Sequence, residues 1–144
     1  MDEVHIWVGI SVVAANLIAG LWGGVAWLRR EPSVAFWYLL RIAQAIVVAQ
    51  VLLGTDLLLS GREPEDGLHY VYGLLPLLVT FLAEGARAGI SERELEGLDF
   101  DALPAARRRA VALAITRSET GIMALSALVI FGLALRAAFT SSGV

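Results

Sequence analysis

Apolar residues run along this chain in four long stretches, separated by short polar segments rather than interleaved with polar positions. The first stretch covers 4–28 and stops at Arg29-Arg30; the second covers 33–59, entered through Pro32 and closed by Ser60-Gly61. The third covers 67–84, and the fourth covers 120–139, as the apolar end of a helix that starts near Pro104. Each is close to the ~20 residues that cross about 30 Å of hydrocarbon at ~1.5 Å per residue. An unbroken apolar run leaves a helix without a wet face, so these are predicted as membrane-spanning helices. Short loops set successive helices side by side in opposite directions. The expected fold is therefore all-α: one transmembrane domain over 1–144, an integral membrane antiparallel four-helix bundle.

Arginine placement predicts the orientation. Arg29 and Arg30 follow the first span, and Arg87, Arg93, Arg107, Arg108, Arg109 and Arg117 lie between the third and fourth. The loop between the second and third spans holds Arg62 against Glu63, Glu65 and Asp66. The positive-inside rule then puts the first and third loops in the cytoplasm and both the N-terminus and the C-terminus outside. Trp7, Tyr70 and Tyr72 fall at the outer interface, and Trp22, Trp27, Trp37 and Tyr38 at the inner one, as aromatic belts do. Asp2 and Glu3 at the start are the wrong charge for a secretory signal, so the first span is expected to be retained.

The segment 85–109 is expected to be a cytoplasmic connector. Ser91 with Glu94 fits a capping box and predicts a short helix over 92–98. Asp101 suits a cap for the next helix, with Pro104 in its first turn. Arg107, Arg108 and Arg109 suit anionic lipid headgroups.

Composition narrows the chemistry. Of the 144 residues 58% are hydrophobic and 17% charged, too little charge to wet the surface of a soluble domain this size. All 11 basic residues are arginine, which with the wealth of Ala, Leu, Val and Gly suggests a GC-rich bacterial source and an inner-membrane location. With no cysteine, disulfides, iron–sulfur clusters and thiolate metal sites are excluded. No nucleophile–base set and no phosphate-cradling glycine loop is visible, and no nucleic-acid motif, so hydrolase, nucleotide-binding and nucleic-acid roles lack support.

Function is then sought in polar residues inside the spans, which are costly unless they face the bundle interior. The chain has two histidines, His5 and His69, each opening a span on the same predicted side. His69, Tyr72, Gly73, Pro76 and Thr80 recur at helical spacing on one face of the third span, and His5, Gly9, Asn16 and Gly23 on one face of the first. Such small and polar stripes either bring helices close or leave room for something flat. Pro76 removes a helical hydrogen bond to Tyr72, predicting a kink below His69. Two imidazoles facing each other across a bundle supply both axial ligands of a haem, with Arg62 or Arg136 for the propionates and Asp56 to accept from an imidazole N–H and orient the ring. Without a CxxCH motif the haem is of the non-covalent b type. Two other readings stand beside it: an ordinary interfacial histidine pair, and a zinc or copper site drawing on Glu3, Asp56 or Asp66.

A second polar cluster falls at the other end: Arg41 and Gln44 on the second span, Glu84 on the third, Arg117 and Glu119 on the fourth. Matching depths predict an Arg41–Glu84 or Arg41–Glu119 pair, read as a structural clamp ahead of a proton or quinone site. Gln50 projects from the opposite face of the second span to Arg41, and Asn16 lies mid-span; each is a candidate to bond a neighbouring helix. Gly20-x-x-x-Gly24 permits close helix approach, within the monomer or in a homo-oligomer.

The stretch Gln50-Val-Leu-Leu-Gly54, Ser60-Gly61, Leu68-His69 and Gly73 resembles the helix–loop–helix segment of haem-b-binding four-helix bundles, most of all one half of the haem A synthases. In those a Gln/Gly-bearing helix ends in a Ser-Gly turn and the next helix carries a haem-ligating histidine, so the resemblance implies His69 as an axial ligand. That family has two bundles and a Glu-x-x-His element, whereas this chain has one bundle and two histidines. A one-haem electron carrier is accordingly the expected function: a small membrane cytochrome b, exchanging electrons with a quinone or a partner membrane redox complex. The alternative of another class is a non-catalytic accessory subunit of a larger membrane assembly. A four-span multidrug transporter would need a carboxylate within the first span, where no charge falls between Glu3 and Arg29.

Overall fold

The computed structural model describes residues 2–62 and 67–141. Four helices account for nearly all of them: α1 (Asp2–Arg29), α2 (Val34–Leu59), α3 (Leu68–Leu95) and α4 (Ala105–Ser141). Each is long and apolar enough to cross a membrane. The chain is thus all-helical, with the four helices packed together as a bundle.

Helix boundaries follow local chemistry. Ser33 caps α2 by accepting from the Phe36 N–H at 3.2 Å, and its hydroxyl also accepts from Trp22 Nε1 at 2.9 Å, tying α1 to the start of α2. α2 ends at Gly61 (φ 76), whose left-handed conformation lets the Arg62 N–H reach back to Leu57 O at 3.1 Å. α1 ends in the same way, with the Glu31 N–H on Ala26 O at 3.1 Å, but there Arg30 takes the left-handed position (φ 59).

Two boundaries differ from the sequence expectation. α3 does not stop at the end of its apolar run; it continues through 85–95, and Ser91 lies inside it instead of capping a separate helix. The extension is held by packing, since Ile90 is buried and the Ser91 hydroxyl donates to Glu119 of α4 at 3.2 Å. Only 96–104 is left between α3 and α4. In that turn Asp99 Oδ1, rather than Asp101, accepts a backbone N–H, from Ala102 at 3.3 Å.

α4 packs along both α1 and α3, and α1 also packs along α2. α2 and α3 touch little, and α1 and α3 stand across the bundle from each other. The core is built from small residues beside a few large ones: Ala19, Ala43, Ala83, Ala124 and Ala127 around Phe36, Leu40 and Met123, with Val12, Val47 and Ile130 toward the other end. Close approach needs glycine at particular places. A Cβ on Gly23 would lie 2.4 Å from the Phe36 ring and 2.8 Å from Ala124, and one on Gly20 would lie 2.6 Å from Leu128. Gly20 therefore serves packing within the chain. The buried Asn16 amide donates to Val12 O of its own helix at 2.9 Å, not to a neighbour. Pro76 sits buried within a continuous α3, and the Thr80 hydroxyl donates to its carbonyl at 2.9 Å.

Candidate functional site

His5, one turn into α1, and His69, at the start of α3, are carried by the two helices that face each other across the bundle. Their rings bridge that gap: the centroids are 6.1 Å apart and the planes are inclined at 58°. Both residues are half-buried.

Each ring is held from behind by a different helix. Nδ1 of His69 lies 3.3 Å from Ala137 O of α4, so a proton on Nδ1 donates to that carbonyl and leaves Nε2 with its lone pair. This is the arrangement in which a backbone carbonyl fixes the tautomer of a ligating imidazole. His5 is held through Nε2, which lies 3.2 Å from Gln50 Nε2 of α2; its Nδ1 is buried with no partner. α2 comes close at this point because of Gly54, where a Cβ would stand 3.2 Å from His5 Cε1. Gly9 makes matching room for Gln50 on α1, with a Cβ there only 3.1 Å from its Nε2.

The remaining predicted residues fall as follows. Tyr72, one turn past His69, carries the Arg136 guanidinium 5.9 Å from its ring centroid, so Arg136 reaches the site beside Ala137. Gly73 is half-buried, and a side chain there would meet nothing within 4 Å. Arg62 lies just past α2. Asp56 is exposed, and the α2 residue bonded to His5 is Gln50 instead. Asp56 sits two residues from Gly54 and six from Gln50, about 160° and 120° round the helix from them. Gln50, expected from its face opposite Arg41 to bond a neighbouring helix, does so here, one turn from Gly54. Asp66, a candidate in the zinc or copper reading, lies outside the described residues, as do Glu63 and Glu65.

Among the described residues no group of three or more His, Asp or Glu is placed to hold an ion. Two facing imidazoles are the pair that a group bringing its own equatorial ligands, such as a porphyrin, would take; Glu63, Glu65 and Asp66, which precede His69 in the chain, lie outside the described residues. The unpartnered Nδ1 of His5 and the carbonyl-fixed tautomer of His69 fit such a group.

At the opposite end of the bundle, the guanidinium of Arg41 donates to Glu84 Oε1, and Gln44 Nε2 donates to the same oxygen at 2.9 Å. Arg87 Nε donates to Glu84 Oε2 at 2.9 Å and reaches Glu119 at 3.9 Å. Arg87 also stacks 5.7 Å from the Trp37 ring centroid. Glu84 is therefore shared between two arginines of different helices, and Glu119 pairs with Arg87 in preference to Arg41. The network closes on itself as a clamp across α2, α3 and α4.

Comparison with protein-family models, with curated proteins and with solved structures finds no match to this chain. The chemistry of the site therefore rests on its own residues.

Proposed function

We propose that this protein is a small multi-pass membrane cytochrome b that holds one non-covalent haem between His5 and His69 and transfers electrons. The observation that carries the reading is the facing imidazole pair, 6.1 Å between centroids, on helices that stand across the bundle from one another. His69 would ligate through Nε2, oriented by Ala137 O; His5 would ligate through its unpartnered Nδ1, oriented by Gln50. Arg136, beside the site on α4, suits a propionate. When bound, a haem with both axial positions taken by imidazole has no open site for oxygen and supplies one-electron transfer. The protein's part is to fix the two rings, exclude water and set the charge around them.

The membrane arrangement belongs to the same proposal. His5 lies against Gln50 and Gly54 near the end of α2, while Gly23 lies against Phe36 near its start, which supports antiparallel α1 and α2. The pairs His69–Ala137 and Ser91–Glu119 support the same for α3 and α4. Arginine-rich ends at Arg29–Arg30 and at 107–109 favour placing that side in the cytoplasm and the histidine end outside, in a bacterial inner membrane, with a quinone or a membrane redox complex as the electron partner.

The test is direct. Protein purified from haem-replete cells should be red, with a Soret band and a reduced α-band, and both His5→Ala and His69→Ala should abolish the low-spin spectrum. A colourless wild-type protein that also fails to bind added haem would sink the cytochrome reading and put the accessory-subunit reading first.

A further inference from the structure

Near Arg29 and Arg30, the seam between α1 and α4 opens into an apolar groove of about 510 Å³, within the ~300–1,000 Å³ range of ligand sites. Gly24, Trp27 and Leu28 line it from α1, and Gly121, Leu125 and Leu128 from α4. The groove exists because glycine stands where a side chain would fill it: a Cβ on Gly24 would meet nothing within 4 Å. The Trp27 indole closes one end, so near Gly121 that a Cβ there would lie 2.7 Å from Nε1.

On the other side of the indole is a narrow crevice walled by Arg30, Arg117, Thr116 and Thr120, with Glu31 at its edge. The Arg117 guanidinium stacks 5.3 Å from the Trp27 ring centroid, and its Nε is buried without an acceptor. Arg41 and Arg87 share Glu84, but among the described residues no carboxylate forms an ion pair with Arg117. Two guanidiniums against one carboxylate leave the crevice net positive, and Arg117 has an unused donor edge.

We propose that the groove holds one anionic phospholipid, its acyl chain along Gly24, Gly121 and Leu128 and its phosphate at the mouth of the water-sized crevice, against the Arg117 and Arg30 guanidiniums. An apolar groove facing hydrocarbon would accept the chain of any lipid; the Arg117 guanidinium, which has no ion-pair partner among the described residues, selects the headgroup through a charge-assisted bond to phosphate oxygen. A net anionic headgroup is favoured over a zwitterionic one, whose own cation competes with the arginines. A second copy of the chain could fill the groove but offers Arg117 no phosphate. The inference depends on the chain lying in a bilayer and is independent of haem.

Native mass spectrometry of the full chain, released from micelles holding equal amounts of phosphatidylglycerol and phosphatidylcholine with the same acyl chains, tests it. The wild type should retain one phosphatidylglycerol, preferred by about tenfold. Gly24→Leu puts a side chain into the groove without a clash at Cβ and should lose both lipids. Arg117→Gln should keep a lipid but lose the preference. Equal retention of the two lipids by the wild type overturns the proposal, as does unchanged retention in Gly24→Leu. A wild-type dimer that Gly24→Leu converts to monomer overturns it too, since a second copy then occupies the groove.

Discussion

Gln50 Nε2 lies 3.2 Å from His5 Nε2, while Oε1 of the same amide and Nδ1 of the same imidazole are both buried without a partner. Rotating the amide by half a turn exchanges its oxygen and nitrogen but leaves one polar atom of each residue unsatisfied either way. With the oxygen toward Nε2–H, the orphan on His5 is a bare Nδ1 lone pair, the form that ligates a metal. Under the haem proposal, a group bound at Nδ1 would satisfy the imidazole, while the outer atom of the Gln50 amide stays without a partner.

Two outcomes for Gln50→Leu follow from that relationship. If Gln50 orients a ligand, the variant should weaken haem binding by roughly 10–100-fold, read by haem titration. If the pair is only structural, the variant removes the unsatisfied Oε1 but strands His5 Nε2, so stability should fall by about 1–3 kcal/mol. A less stable variant with unchanged haem affinity would therefore remove Gln50 from the site.

Glu84 accepts from Arg41, Gln44 and Arg87, so its loss takes a carboxylate from two guanidiniums at once, leaving Arg41 with the Gln44 oxygen and Arg87 with Glu119 at 3.9 Å, whereas loss of Arg41 still leaves Glu84 with Arg87. Glu84→Gln should therefore cost more than Arg41→Gln. Because both partners are partly exposed, the Glu84→Gln cost is set at about 1–3 kcal/mol, below that of a fully buried pair. Reversible unfolding in mixed micelles gives the order, and the histidine end should keep its spectrum in both variants. Equal costs for the two would show that the arginines do not depend on a shared carboxylate.

Gly23 and Gly24 are neighbours in sequence with opposite surroundings. A Cβ on Gly23 would stand 2.4 Å from the Phe36 ring, and one on Gly24 would meet nothing within 4 Å. Gly23→Ala should destabilise by about 1–3 kcal/mol through overpacking. Gly24→Ala should be neutral or stabilise by about 0.5–1 kcal/mol, since alanine loses less freedom in a helix. Thermal melting of the two variants side by side decides it; equal effects would mean that α1 can rotate or shift away from α2.

The sequence made the helices legible and left their rotation hidden. Four apolar runs announced four long helices, and the depth of His5 and His69 followed from their place at helix starts. The partners of the polar residues depend on how each helix is turned about its axis. Helices that are apolar nearly all round carry little periodic signal for that turn. That is why Asp56 was a candidate for His5 where Gln50 serves, and why Arg41 had two candidate carboxylates. The extension of α3 through 85–95 was hidden for a related reason. Its polar residues read as a connector, and only the burial of Ile90 and the Ser91–Glu119 bond against α4 hold it as helix.

Arg136 precedes Ala137, whose carbonyl holds His69, and its guanidinium lies 5.9 Å from the ring centroid of Tyr72, one turn past His69. The contact itself is worth about 0.5–1 kcal/mol at an exposed position. Under the haem proposal the guanidinium would do more, because a positive charge near the haem would favour the extra electron of the reduced state. Arg136→Gln should lower the midpoint potential and weaken haem binding by about tenfold, the cost of one charge-assisted bond. Tyr72→Leu leaves the charge but removes the surface that holds it, so it should move the potential in the same direction by less. Redox titration of the two variants against wild type gives both the sign and the order. A potential unmoved in Arg136→Gln would mean that the arginine serves only to pack on Tyr72.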